Sequence, residues 1–314
     1  MMGVSVYQSA QLFTGNRLTV GIDYFHFGGS ALNRYVSGDR TGQDEPIVEI
    51  AQDEIAGYVD FRQDITRWVT IDAGVRIDHH SQTGTEWIPQ AGISLHLPYD
   101  LEMKALASKG FRNPTIREMY MFPPQNPDLQ PESMWNYEIA LSQQLLGGRL
   151  SYGVNIFYID GKNLIMTLPN PNGSGMLNQN SGKIDNTGVE VEGNFRIDNR
   201  WAVNANYSFL HMENPVLAAP EHKLYAGCNF THERWSVSTG LQYVAGLYTA
   251  VKTNGTGEET KENFLLWNLQ GAFRATKWLE IWVRGENLLA QQYEIIAGYP
   301  MPRATFMGGV NINF

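Results

Sequence analysis

The sequence predicts an all-β fold, the wall of an antiparallel transmembrane β-barrel with about fifteen strands. Three observations predict it. Apolar and polar residues alternate with a two-residue period along most of the chain, many alternating segments are long, and the connections between them are short and long by turns. A strand crossing a bilayer at a tilt needs roughly 9–11 residues with one apolar face. A soluble sandwich also alternates, but it has no reason to sort its connections by length to one end.

The elements follow in order. A short turn, TGN at 14–16, joins the first two segments, a long connection lies near 28–47, and DITR at 64–67 turns the chain back. WVTIDAGVRID then sets Val69, Ile71, Ala73, Val75 and Ile77 against Thr70, Asp72, Gly74, Arg76 and Asp78. After a long connection at 79–87, PYD at 98–100 is short, 111–134 is long, LGG at 146–148 is short and 166–186 is long. NTGVEVEGNFRI opposes Val189, Val191, Phe195 and Ile197 to Glu190, Glu192, Asn194 and Arg196. DNR at 198–200 leads into WAVNANYSF, where Trp201, Val203, Ala205, Tyr207 and Phe209 face away from Asn204, Asn206 and Ser208. The alternation continues through 212–222 (long), THER at 231–234 (short), 247–263 (long), ATK at 275–277 (short) and 289–301 (long). The last strand opposes Ala304, Phe306, Val310, Ile312 and Phe314 to Thr305, Met307, Asn311 and Asn313. Short turns at one end and long loops at the other are the asymmetry of outer-membrane barrels.

Four short turns run into a basic residue and a tryptophan: Arg67-Trp68, Arg200-Trp201, Arg234-Trp235 and Lys277-Trp278. An interfacial aromatic girdle explains the repeat, although Trp68 and Trp278 fall one residue off the apolar register.

Composition agrees. The 31 Gly, 14 Phe, 15 Tyr and 8 Trp suit strands and turns. A net charge of −9 with no basic stripe argues against nucleic acid as a partner. Cys228 is the single cysteine, so neither an intramolecular disulfide nor a cysteine-rich zinc site can form, and a small apolar filler is its expected role. The start, MMGVSVYQSAQLF, has no basic n-region or apolar h-region, and no run of 18 apolar residues is long enough for a membrane helix.

One stretch interrupts the alternation. KGFRNPTIREMYMFPPQNPDLQPES carries Pro114, Pro123, Pro124, Pro127 and Pro131, which remove backbone donors where a loop leaves and rejoins a ladder. Its motifs, Gly110-Phe111-Arg112-Asn113-Pro114 and Asn126-Pro127-Asp128-Leu129-Gln130-Pro131-Glu132, resemble the C-terminal barrel region of TonB-dependent outer-membrane receptors. GENLLAQQYE at 285–294, PMPRATFMGGVNINF and the terminal aromatic Phe314 look like that family's last two strands, and Phe314 resembles its barrel-insertion signal. Together these motifs span Ala107 to Phe314, and the first 106 residues carry the strand pattern alone.

The resemblance implies a multi-pass outer-membrane barrel whose partners are membrane lipid, the β-barrel assembly machinery, TonB–ExbB–ExbD and a small nutrient ligand. It implies no cofactor and no enzymatic activity. The family's barrels have 22 strands and carry a signal peptide, a TonB-engaging motif and a plug. None of the last three is visible here, so residues 1–314 read as a partial barrel, the last fifteen strands, with an unpaired edge.

A ferric siderophore or cobalamin is the expected cargo, with a copper or haem receptor or a passive porin as alternatives. No histidine lies between Arg112 and Asn126, which disfavours haem. Met119, Met121 and Met134 could favour copper(I), with apolar packing the plainer account. His79-His80 are expected as solvent-exposed loop residues. Loop contacts to ligand are assigned to Arg112, Arg117, Met119, Tyr120, Met121, Tyr248 and Tyr299. Asp72, Arg76, Glu190, Glu192, Arg196, Glu280, Arg284 and Glu286 are expected on the polar inner wall, facing a plug. The chain has neither a Gly-x-Ser-x-Gly elbow nor a His-Glu-x-x-His pair to suggest an enzyme.

Overall fold

The computed structural model describes residues 1–252 and 257–312. Phe314 and the tip of the 247–263 connection therefore lie outside the described residues. Fifteen strands are present among those described: β1 (Met2–Ala10), β2 (Asn16–Arg34), β3 (Asp44–Thr66), β4 (Val69–His80), β5 (Gly84–Leu97), β6 (Leu101–Arg112), β7 (Glu132–Leu145) and β8 (Leu150–Pro169). They continue with β9 (Met176–Arg196), β10 (Trp201–Met212), β11 (His222–His232), β12 (Trp235–Ala250), β13 (Thr260–Arg274), β14 (Leu279–Glu286) and β15 (Thr305–Ile312). Strand order in the sheet is chain order, as expected when every connection is a hairpin or a loop back to a neighbour. Among the described residues no helix is long and apolar enough to cross a membrane.

The chain forms two compact units. The first holds Met1–Leu95, Lys104–Glu138 and Ile159–Asp185. Its register carries the two faces across strands. Ile22 is opposite Gly57, Gly57 opposite Ile77, and Ile77 opposite Trp87, an apolar row. One residue on, Asp23 is opposite Ala56, Ala56 opposite Asp78, and Asp78 opposite Glu86, a polar row. On the apolar side Ile22 is 60% exposed and Trp87 59%. Large apolar side chains left uncovered in rows would cost about 1.5–3 kcal/mol each in water, so this face is built for hydrocarbon. Gly21 earns its place by geometry: a Cβ there would sit 2.3 Å from the Tyr58 ring, which lies across β2.

The structure corrects three connections. The segments near 28–47, 79–87 and 166–186 are mostly strand, leaving only residues 35–43, 81–83 and 170–175 outside the ladders, so the connection after β4 is a tight turn and not a long loop. β3 has 23 residues, a length of about 75 Å against a hydrocarbon core of roughly 30 Å. Its outer end leaves the membrane, where no face needs to be apolar and the alternation stops.

The second unit holds His96–Met103, Ile139–Tyr158 and Asn186–Phe314. Tyr207, Leu224, Tyr243 and Leu265 form one of its apolar rows. Trp201 packs at a tilt against Phe230 at 4.6 Å and Trp235 against Phe273 at 4.5 Å, while Trp68 in the first unit and Trp278 stand in the turns just before their strands. A bulge between Val244 and Leu247 turns both side chains into a small core with Phe264, against which Tyr293 and Ile295 of the 287–304 segment pack.

A polar cavity beneath a clamped crossing

The candidate site lies in the first unit, where the 113–131 crossing meets the polar face of β2–β4. Arg112, the last residue of β6, reaches two carboxylates. Its Nε and Nη2 donate to Glu132 at 2.7 and 2.8 Å, and its Nη1 and Nη2 to Glu118 at 2.9 and 3.0 Å. Glu132 also accepts the Ile165 amide at 2.8 Å. One guanidinium thus ties both ends of the crossing to its middle, a use that suits Arg's rigid fork.

Glu118 is held in turn by a reciprocal cap. Thr115 donates its amide and hydroxyl to the Glu118 carboxylate at 2.8 and 2.9 Å, and the Glu118 amide donates to Thr115 Oγ1 at 3.1 Å. This is a capping box opening the π-helical turn Arg117–Met121. Burial opposes ionisation of Glu118, but the Arg112 and Thr115 donors outweigh it and hold the carboxyl below its ordinary range.

Apolar anchors and amides hold the rest. Met119 and Leu129 are 0% and 1% exposed, and Pro114 and Pro131 are buried. Asn126 Nδ2 donates to Asn178 O, Asn178 Nδ2 to Glu118 O, and Asn180 exchanges hydrogen bonds with the Gln130 backbone, all at 2.7–2.8 Å. On the other flank Gln82 and Gln125 reach Pro127 O and Ile47 O, each at 3.5 Å. The crossing is a platform bolted to two hairpins.

Beneath it lies a cavity of about 610 Å³, bounded by Phe27, Glu54, Arg76, Asp78, Phe111 and the Asn113–Arg117 segment. Arg76 is claimed by Asp23 and by Asp78, whose Oδ2 it meets at 2.9 Å. Arg117 turns away to Phe122, 5.3 Å from that ring. Asn113 links Glu54 and Thr83, at 3.4 and 2.9 Å.

His80 departs from its expected place. His79 is exposed and bonds Thr85 at 2.8 Å, but His80 is 1% exposed. It ends β4 on the polar face, its Nδ1 facing the amides of Gln82 and Thr83 at 3.2 and 3.3 Å. Strand parity sends the two histidines to opposite faces, and the Gln82–Thr83 turn and the Phe27 ring lie against the inner one.

The other sequence-derived residues are dispersed. Tyr120 and Met121 are half-buried beside buried Met119, and Met134 is exposed on β7. Tyr248 and Tyr299 belong to the second unit: Tyr248 is buried and donates to Glu221 at 3.0 Å, Tyr299 is 71% exposed. Asp72 pairs with Arg62 at 3.6 Å in the first unit. In the second, Glu190 and Glu192 border a separate cavity of about 480 Å³ with Asn206 and Lys223. Arg196 is exposed at the end of β9, Arg284 pairs with Glu286, and Glu280 accepts from Asn311 at 3.1 Å. Sequence reading missed Glu118 and Glu54; the Thr115-x-x-Glu118 pattern was the one available signal for either of them.

Comparison with known proteins now decides the family. Residues 3–288 match the family described as TonB dependent receptor-like, beta-barrel. The chain belongs to that family. Its barrel proteins are proteins of the outer membrane, and this barrel segment is one of them. The segment is 22% identical to the vitamin B12 transporter BtuB of Photobacterium profundum, over 97% of this chain and 48% of that protein. It is 25% identical to an iron-regulated outer membrane virulence protein of Vibrio cholerae over 62% of this chain and 34% of that one. It thus spans about half the length, or less, of the curated relatives it matches. In fold it is similar to the ferric enterobactin receptor PfeA of Pseudomonas aeruginosa (TM-score 0.80, 15% identity, 99% of this chain and 54% of that one). It is also similar to the siderophore receptor PirA of Acinetobacter baumannii (TM-score 0.79, 14% identity, 99% and 54%).

Proposed function

We propose that this chain supplies barrel wall and ligand-facing surface to an outer-membrane receptor that imports a scarce nutrient, energised through TonB–ExbB–ExbD. The observation that carries the reading is the family match over 3–288. The relatives' names supply the cargo classes, vitamin B12 and ferric siderophores. The clamped crossing supports it from this chain's own residues: a fixed polar chamber with aromatic walls suits capture of a compact solute. Arg112 and Glu132 act in this reading as positioning residues, with Glu118 completing the clamp. Phe27, Phe111 and Asn113 face the solute. Transport here is binding and movement, with no covalent step.

The test is uptake of radiolabelled vitamin B12 and ferric siderophores by cells with and without the gene. Accumulation should require the gene and should collapse when a protonophore dissipates the proton gradient. Gene-dependent entry that a protonophore leaves untouched would refute energised import in favour of a passive pore.

A further inference from the structure

The apolar face of the second unit is not evenly covered. Gly193, Ala205 and Ala226 stand opposite one another on β9, β10 and β11, and their row ends on two large residues, Leu241 and Trp267. On the loop side the next outward row, Val191, Tyr207 and Leu224, is large throughout. The small residues leave a hollow of about 680 Å³ in this layer of side chains. Asn194 and Asn204 also border it, but strand parity turns their side chains to the opposite face. Thr239 brings a hydroxyl, and that group is satisfied: it accepts from Trp267 Nε1 at 2.8 Å and donates to Asn268 O at 3.0 Å. An apolar hollow holds water poorly, and one that opens on a bilayer takes up hydrocarbon.

Depth and charge say which hydrocarbon. Ala205 lies five residues from Arg200, and Ala226 lies six from His232 at the end of β11. At about 3.3 Å per residue and a tilt of roughly 40°, the hollow is about 12–15 Å in from the short-turn end. That is the reach of one leaflet's chains, because the hydrocarbon core is roughly 30 Å thick. The turns after β7, β9 and β11 carry the guanidiniums Arg149, Arg196, Arg200 and Arg234 against the carboxylates Asp198 and Glu233. Asp198 gives its oxygen to the amides of Arg200 and Trp201 at 2.7 and 2.8 Å, and Glu233 stands 3.9 Å from His232. Arg149 and Arg234 hold backbone carbonyls, at 3.1 Å for Arg196 O and 3.4 Å for Ala275 O. Among the described residues none of the four guanidiniums is paired with a carboxylate. A phosphate is drawn to such an end.

We infer that the hollow is a binding site for a phospholipid of the leaflet at the short-turn end. The end of one acyl chain lies against Gly193, Ala205 and Ala226, and the phosphate meets Arg200 and Arg234. Trp201 and Phe230, 4.6 Å between ring centres, form the rim between the two parts. The site is on the outside of the wall, so it is separate from any cargo and stands whatever the receptor imports.

The experiment uses the full-length protein, purified from the outer membrane of its own cells. It is reconstituted in liposomes with a phosphatidylglycerol that carries a photoactivatable diazirine at the end of one acyl chain. Labelled peptides should concentrate on residues 193–205 and 226–241, at about tenfold the yield around Val283, which faces the same hydrocarbon on β14. Ala226→Trp fills the hollow and should bring its labelling down to the β14 level. Arg200→Gln with Arg234→Gln leaves the wall intact and should lower hollow labelling by about threefold or more. Equal labelling of the hollow and β14 in the parent protein would overturn the inference, since the wall would then meet only exchanging bulk lipid. Hollow labelling unchanged in the arginine double variant would overturn it too, because the occupant would not be held by its phosphate at the short-turn end. So would cross-links through the hollow between two copies of the protein, which would make it a subunit interface. If Ala226→Trp fails to insert, the parent labelling pattern and the arginine variant still decide.

Discussion

Replacing Arg112 with Met keeps the stem and removes the guanidinium from the crossing. The variant loses four charge-assisted hydrogen bonds of 2.7–3.0 Å and leaves Glu118 and Glu132 facing each other. An exposed ion pair contributes about 0–1 kcal/mol, and breaking a buried one costs about 3–5 kcal/mol. Arg112 is 44% exposed, while Glu118 and Glu132 are 27% and 20% exposed, so after solvent screening the loss is about 2 kcal/mol. That energy acts on the crossing, not on the strands, whose ladders remain. Opening of the crossing should therefore rise about thirtyfold. The amides to follow are Met119, bonded to Thr115 O at 3.1 Å, and Asn126, bonded to Met119 O at 2.9 Å. Hydrogen exchange in detergent micelles should show both accelerating by that factor in R112M. Arg112→Lys should fall between, because one ammonium cannot fork to two carboxylates. The clamp should also weaken in acid. Glu118 has a folded-state pKa below its ordinary value, so its contribution is full above the ordinary carboxylate range and is lost as pH falls through the lowered folded value. If R112M leaves Met119 and Asn126 exchange within about threefold of the parent, the clamp does not hold the crossing.

Two further outcomes follow from the faces and the bulge. Val283, 63% exposed on the apolar side of β14, should tolerate charge poorly: Val283→Arg should cost about 2–4 kcal/mol in urea-unfolding titrations in lipid vesicles. Asn206→Arg on a polar row should stay within about 0.5 kcal/mol, and equal costs would mean the faces are misassigned. Gly246 has φ +64°, and a Cβ there would lie 2.5 Å from Glu221 Oε2. Gly246→Ala should cost about 1–3 kcal/mol locally, read as faster exchange of the Glu221 amide, whose bond to Gly246 O is 3.2 Å. An unchanged rate would refute the strain.

Within the membrane the fold was legible because two solvents impose a period. Val69 to Asp78 must show hydrocarbon one face and a polar interior the other, and the residues state both. The outer halves of β2–β3 and β8–β9 were illegible as strands for the converse reason. GGSALNR is largely exposed on both sides, and NQNSGK turns Asn178 and Asn180 to the crossing, so backbone pairing and amide contacts make them strands and write no apolar period into side chains. The motif residues were readable only by resemblance. Phe111, Arg112, Pro114 and Glu132 were marked in sequence, but Glu118, the residue that joins them, was hidden in an unremarkable helical turn.

What the sequence determined by itself, then, is the wall: the number of strands, their two faces, and a proline-framed crossing. These are local properties, set by neighbours one or two residues apart. The tertiary structure alone decided that the crossing folds onto the polar face, that Arg112 has two partners 6 and 20 residues away, and that His80 is covered while His79 is not. It also decided that Phe27, Glu54 and Asp78, placed on three strands, border one cavity with the Asn113–Arg117 segment. Such convergence is a matter of register across the sheet and of where a loop comes to rest, and no local period encodes either.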